Sequence, residues 1–129
     1  MRTFGKESLQ LISLFELTTN VAPIDCLLGD KIYFVVNKKE MGLVLARGGI
    51  KLKTLEEHIH KQVIIFPYME SKEEFVKKII SENVKMKETD NSIKLFINRQ
   101  DGKRVRRDKD AIKSFLERLY NVKEVLFRW

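Results

Sequence analysis

The chain has 129 residues and a formal net charge of +7. That length suits one ordinary domain or two very small ones, and a hydrophobic content of 43% supports a packed core, which excludes a disordered polyelectrolyte. The charge is uneven, with a net +2 over residues 1–68 and a net +5 over residues 69–129, a balance that favours a polyanionic partner through counterion release.

Uninterrupted apolar runs are only a few residues long, far short of a membrane span. Residues 1–10 are charged and lack the apolar core of a signal peptide, which predicts a cytoplasmic protein with no membrane partner. Cys26 is the only cysteine and there are two histidines. One thiol cannot close an internal disulfide and makes a poor zinc set with His58 and His60, so Cys26 is expected to be a buried strand residue. The two histidines lie two apart on a predicted helix and point to different faces. No metal and no cofactor is expected.

In chain order, residues 8–17 are predicted to form a helix with Leu9, Ile12 and Phe15 near one face. Pro23 begins an extended run over residues 24–28, and Gly29-Asp30 is a two-residue hairpin signal. Residues 31–36 are strongly β in composition, with Ile32, Tyr33, Phe34, Val35 and Val36 in succession. A glycine-containing corner follows. Beyond it, a helix over residues 50–59 puts Leu52, Leu55 and Ile59 on one face, and residues 63–68 form a third strand, stopped near Pro67.

Ser71-Lys72-Glu73-Glu74 is a capping box, opening a helix with Phe75, Ile79 and Ile80 inward. Residues 84–88 and 92–97 form two strands joined by a turn at Thr89-Asp90-Asn91. A basic segment occupies residues 99–107, and Asp108 is placed to cap a helix carrying Ile112, Phe115, Leu116 and Leu119. Residues 122–127 make a last strand. The order helix, strand, strand, helix, helix, strand therefore runs twice, with one short helix missing or degenerate in the second pass. The expected fold is α+β, two copies of a module of roughly 60 residues, over residues 1–69 and 70–129, with no Gly/Ser/Pro-rich linker between them.

The corner itself carries the chemistry. The apolar turn around Leu43 and Val44 runs into Ala46-Arg47-Gly48-Gly49 and out into Ile50-Lys51-Leu52-Lys53. Backbone N–H groups at the start of the second helix are natural phosphate ligands. Gly48 and Gly49 are free to take φ > 0. Arg47, Lys51 and Lys53 surround that point with positive charge, while Leu43, Val44 and Ile50 are candidates for an apolar groove floor that accepts bases. A dinucleotide-binding loop would need G-x-G-x-x-G after a strand and an acidic residue downstream, and this chain has neither. Read plainly, the corner is a helix–helix turn with solvated charges. The clustering of three cations beside the glycines, inside that module order, decides for nucleic-acid contact. Lys38 and Lys39 stand just before it, within reach of a phosphate. In the second module Arg99, Lys103, Arg104, Arg106, Arg107 and Lys109 cluster, softened by Asp101 and Asp108, and extend the phosphate track by charge. Trp129 is placed to stack on a base or to cap the core. No Ser/His/Asp or Cys/His set is visible, and Glu56 and Glu57 look like exposed helix residues, so no catalytic residues and no enzyme are expected.

The element order with its GXXG position resembles the type II (prokaryotic) KH domain. Two such modules in a short basic chain resemble the archaeal NusA-like family of transcription factors. The matching residues are Ala22-Pro23-Ile24-Asp25-Cys26, Phe34-Val35-Val36, Met41-Gly42-Leu43, Arg47-Gly48-Gly49, Leu55-Glu56-Glu57 and the ending Arg118-Leu119-Tyr120-Asn121-Val122, and the resemblance runs over residues 21–127. Two departures stand out. Alanine occupies position 46, where the family's quartet begins with glycine, and would resist a positive φ there. The second module replaces GXXG by Asp101-Gly102-Lys103-Arg104-Val105-Arg106-Arg107.

The resemblance implies binding of single-stranded RNA across both modules, about four nucleotides per module, near an elongating RNA polymerase, in transcription elongation or termination; a non-catalytic, cytoplasmic monomer is expected. On that reading the RNA-binding residues are Leu43, Ala46, Arg47, Gly48, Gly49, Ile50, Lys51, Lys53, Lys103, Arg104, Arg106 and Arg107. Two alternatives stay open at this point: a ribosome or ribosomal-RNA maturation protein built of the same modules, and a protein-interaction scaffold with reduced RNA binding, which Ala46 and the altered second loop favour.

Overall fold

The structure is a computed structural model, and it describes residues 5–129; residues 1–4, the head of the charged stretch over residues 1–10, lie outside the described residues. The chain divides into two compact units between Tyr68 and Met69.

In the first unit, α1 (Lys6–Thr19) is followed by β1 (Asp25–Leu27) and β2 (Ile32–Asn37). A 3-10 turn (Lys38–Glu40) leads into α2 (Met41–Val44), α3 (Ala46–Ile59) and β3 (Val63–Tyr68). The sheet order is β1-β2-β3; β1 is antiparallel to β2, with Cys26 opposite Phe34, and β2 is parallel to β3, with Phe34 opposite Ile65. A parallel pair cannot be closed by a tight turn, so α2 and α3 form the crossover. β2 is buried at every position from Ile32 to Val36, as its unbroken apolar run requires. β3 has the expected bounds and ends at Tyr68, one residue after Pro67, which pairs with Val36; β3 is an edge strand, and an edge tolerates a residue without an N–H.

The core of this unit gathers Phe15 of α1, Cys26, Phe34 and Val36 of the sheet, and Val44 and Leu55 of the crossover. The rings of Phe15 and Phe34 lie 4.3 Å apart, tilted by 32°. Asn20 ends α1 and His60 ends α3 in the left-handed conformation, each N–H returning to the carbonyl of Glu16 or Glu56. Glu56 is half-buried rather than a free surface residue: its Oε2 accepts the Val63 N–H at 2.8 Å and anchors the start of β3. The Gly29-Asp30 hairpin is wider than expected. β1 ends at Leu27 and β2 begins at Ile32, and neither Gly29 nor Asp30 has positive φ, so the primed two-residue turn is not formed.

The second unit repeats the order: α4 (Lys72–Ile79), β4 (Lys85–Thr89), β5 (Ser92–Phe96), α5 (Arg99–Tyr120) and β6 (Glu124–Arg128). Its sheet has the same design, β4 antiparallel to β5 and β5 parallel to β6. Ser71 caps α4, its Oγ accepting the Glu74 N–H at 3.2 Å. The β4–β5 turn places Asp90 and Asn91 at φ 44° and 72°, the left-handed region these residues tolerate best after glycine. Phe75, Ile93, Leu95, Phe115 and Leu116 are fully buried. The Tyr120 hydroxyl donates to the Met69 carbonyl at 2.8 Å and accepts the Met69 N–H at 3.1 Å, pinning the first residue of the unit to the end of α5.

The basic segment also departs from the sequence expectation. It is not a loop, and Asp108 does not cap a helix; α5 is one continuous helix of 22 residues with Asn98 at its N-cap. Val105 is the reason. It is buried, one heptad before Ile112, and extends the apolar stripe of Ile112, Phe115 and Leu116 backwards by two turns. Gly102 falls in the first turn, where it disturbs least.

Two stability measurements follow from this packing. Phe34→Ala is expected to cost about 3–5 kcal/mol, since the ring is fully buried and Phe15 cannot fill the space. Tyr120→Phe is expected to cost about 1–3 kcal/mol by orphaning the Met69 backbone groups. Urea titrations followed by circular dichroism read both; an unchanged midpoint for Tyr120→Phe would remove that pin from the account.

Candidate nucleic-acid interface

The crossover of the first unit is broken at one point. α3 begins at Ala46, but Arg47, Gly48 and Gly49 have φ/ψ of 55°/45°, 67°/24° and 77°/26°. Three successive left-handed residues turn the chain between α2 and the regular helix that starts at Ile50. A Cβ built on Gly48 or Gly49 meets nothing within 4 Å. Glycine is therefore required for backbone conformation and not for space. Arg47 adopts the same conformation without that freedom, at a cost of about 1–2 kcal/mol, and strain of this kind collects at functional sites.

The alanine at position 46 is not among the residues with positive φ. The left-handed run starts one residue later, so Ala46 does not oppose the corner. Around it, Leu43 and Ile50 are 57% and 56% exposed, whereas Val44 is fully buried and belongs to the core. Leu45, 44% exposed, joins the exposed apolar set; sequence reading passed over it because it lies between the helices. Arg47 and Lys53 are exposed. Lys51 is only partly so: its Nζ donates to the Thr19 carbonyl at 3.3 Å and ties α3 to the end of α1. Lys38 and Lys39 are exposed on the 3-10 turn, where the Asn37 side chain accepts the Lys39 N–H at 3.0 Å.

In the second unit the predicted cations lie on the first half of α5 and are not equivalent. Arg104 donates to the Ile80 carbonyl at the end of α4 and to Asp101 at 3.2 Å, which gives it a structural task. Arg106 stands over the Trp129 ring, 4.6 Å from its centre, and that ring stacks on Phe127 at 5.9 Å and 13°. Lys103 and Arg107 are exposed. Lys103, Arg106, Arg99, Gly102 and Trp129 line a cleft of about 250 Å³. No left-handed residue interrupts α5, so this unit has no counterpart of the Arg47–Gly48–Gly49 turn.

Cys26 is buried in β1, and His58 and His60 are exposed. Among the described residues, no group of three His, Cys, Asp or Glu side chains is placed to hold a metal ion, and no helix is long and apolar enough to cross a membrane.

No family model matches the chain. Over 76 residues, 58% of its length, it is 33% identical to the probable transcription termination protein NusA of Methanocaldococcus jannaschii, and spans 42% of that protein. It is 32% identical over 92 residues to the protein of the same name from Halobacterium salinarum, spanning 66% of it. It is 30% identical over 96 residues to that of Methanococcus vannielii, spanning 56% of it. The chain thus spans from about two fifths to about two thirds of the length of these relatives. The crystal structure of APE1850 matches with a TM-score of 0.76 at 25% identity, over 97% of this chain and 100% of that one. The chain is a NusA-like protein, related by sequence to the archaeal proteins named probable transcription termination protein NusA.

Proposed function

We propose that the chain is a non-catalytic, single-stranded RNA-binding protein of transcription elongation or termination, built of two type II KH modules over residues 1–69 and 70–129. The carrying observation is the left-handed run Arg47–Gly48–Gly49, with Arg47 and Gly48 exposed, at the head of a helix, between exposed Leu43 and Ile50. Backbone N–H groups of the first helical turn and the side chains of Arg47 and Lys53 hold phosphates. The apolar surface of Leu43, Leu45 and Ile50 receives splayed bases. Lys51 contributes its charge from a fixed position against α1. In the second module Lys103, Arg106 and Arg107 act as a charged track without a clamp, and Arg104 acts mainly by holding α4 to α5. The relatives are named as transcription termination proteins, which supports a role in transcription, and RNA polymerase is the proposed protein partner.

The relation of Ala46 to the turn bears on the scaffold alternative. An alanine outside the left-handed run leaves the first module's clamp geometry intact, so the observation that favoured a scaffold lapses there. Capture of polymerase rather than ribosomal subunits by the tagged chain from a cell extract separates transcription from ribosome maturation.

Three variants test the clamp. Gly48→Asp with Gly49→Asp is expected to lower affinity for a short single-stranded RNA by at least about 100-fold, from repulsion of phosphate at two successive positions. Both sites have room for a side chain, but the left-handed φ strains any residue other than glycine, so the double variant should also lose about 1–2 kcal/mol of stability. Gly48→Asn with Gly49→Asn, similarly strained but uncharged, should keep most of the affinity. Retained affinity in the Asp variant would sink the assignment. Arg47→Gly should separate the two effects: stability unchanged or raised by up to about 1 kcal/mol as strain is relieved, with the salt slope of binding reduced by about 0.7 for one lost phosphate contact. Anisotropy titrations at several salt concentrations, beside thermal unfolding, read both quantities.

A further inference from the structure

The solvent face of the second sheet carries a pattern of its own. Lys85 stands opposite Phe96, and Phe96 opposite Arg128; Lys87 stands opposite Lys94, and Lys94 opposite Leu126; Thr89 stands opposite Ser92, and Ser92 opposite Glu124. Side chains alternate along strands, so these residues share one face, while Ile93, Leu95 and Val125 between them are buried in the core. Phe96 is 41% exposed and Leu126 36%.

The charge on this face is one-sided: Lys85, Lys87, Lys94 and Arg128 against Glu124 alone. Glu88 of β4 alternates to the other side, where it pairs with Lys72 at 2.5 Å. None of the four cations makes an ion pair among the described residues. Lys87 and Lys94 are directly opposed, an arrangement that disfavours the sheet unless an anion is taken up. Phe96 is flanked within its row by a cation on each neighbouring strand, about 5 Å to either side. An aromatic ring between cations is the combination that holds a base by stacking and the adjoining phosphates by charge.

We propose that this face is a second binding surface for single-stranded RNA, with a base stacked on Phe96 and the neighbouring phosphates held by Lys85, Lys94 and Arg128. The inference rests on the reading of the chain as RNA-binding and adds a surface made of strands to the one made by the glycine corner. An acidic protein would answer the charge, but only a single-stranded nucleic acid places a planar base beside a phosphate at every residue, the spacing that a ring between cations matches. Nucleic acid answers both.

The test is an anisotropy titration of the full chain with an unstructured single-stranded RNA of about 20 nucleotides, longer than a single site. Phe96→Ala, and Phe96→Leu as the variant that keeps apolar bulk in the fold, should each weaken binding about tenfold, within the range for loss of one stacked base, and leave the salt slope unchanged. Lys85→Gln with Lys94→Gln should lower the slope by about 1.4. If the Phe96 and lysine variants bind as the unaltered chain does while Gly48→Asp with Gly49→Asp does not bind, the face is not an RNA surface, though the proposed function stands. A reduced slope with no effect at Phe96 means unspecific charge attraction and also overturns the stacking site. No RNA binding by the unaltered chain overturns the proposed function and this inference together.

Discussion

Parallel pairing of the second and third strands of each sheet is the constraint on which the rest depends. A parallel pair must be joined by a crossover that leaves one end of the sheet and returns to the other. In each unit the helical connection supplies that crossover and covers the core. The first unit makes it from two helices and a turn, the second from one helix of 22 residues. The difference decides where chemistry is available. A broken crossover exposes a helix start with left-handed backbone; a continuous one exposes only a charged helix face.

The break is maintained against local preference. Arg47 bears the cost of a left-handed conformation, and two glycines in succession give up the entropy that other residues would not. What holds the turn is packing on both sides: Val44 is buried before it and Leu55 after it, while Lys51 is tethered to the end of α1. The corner is therefore held by contacts within the fold itself. Preorganisation of that kind reduces the ordering cost of binding.

The basic excess of the chain is distributed among three settings. Some cations are structural, such as Arg104 on the Ile80 carbonyl and Lys61 on that of Gly29. Others lie beside aromatic rings, as Arg106 and Lys109 do beside Trp129 and Phe127. Still others are exposed, such as Arg47 and Lys53 at the corner and Lys85, Lys87 and Arg128 on the sheet face. A net charge alone does not distinguish these settings, because a guanidinium bonded to a helix-end carbonyl counts the same as one facing solvent.

The sequence by itself determined the element order, the repeat and the position of the turn. Apolar periodicity and the Ser71 cap are local signals, and only glycine enters the left-handed region without cost, so Gly48-Gly49 between two helical patterns marks a turn. It also pointed to a NusA-like protein, through short matches spread over most of the chain. Tertiary structure alone decided the fate of individual side chains. Val44 went to the core and Leu43 to solvent, Glu56 became an anchor for β3, Arg104 a brace for α4, and Val105 drew a basic segment into a single long helix. Strand register likewise gathered Lys85, Phe96 and Arg128, which are distant in the chain, into one row. Local patterns fix backbone preference over a few residues, but which neighbours a side chain meets depends on contacts remote in sequence.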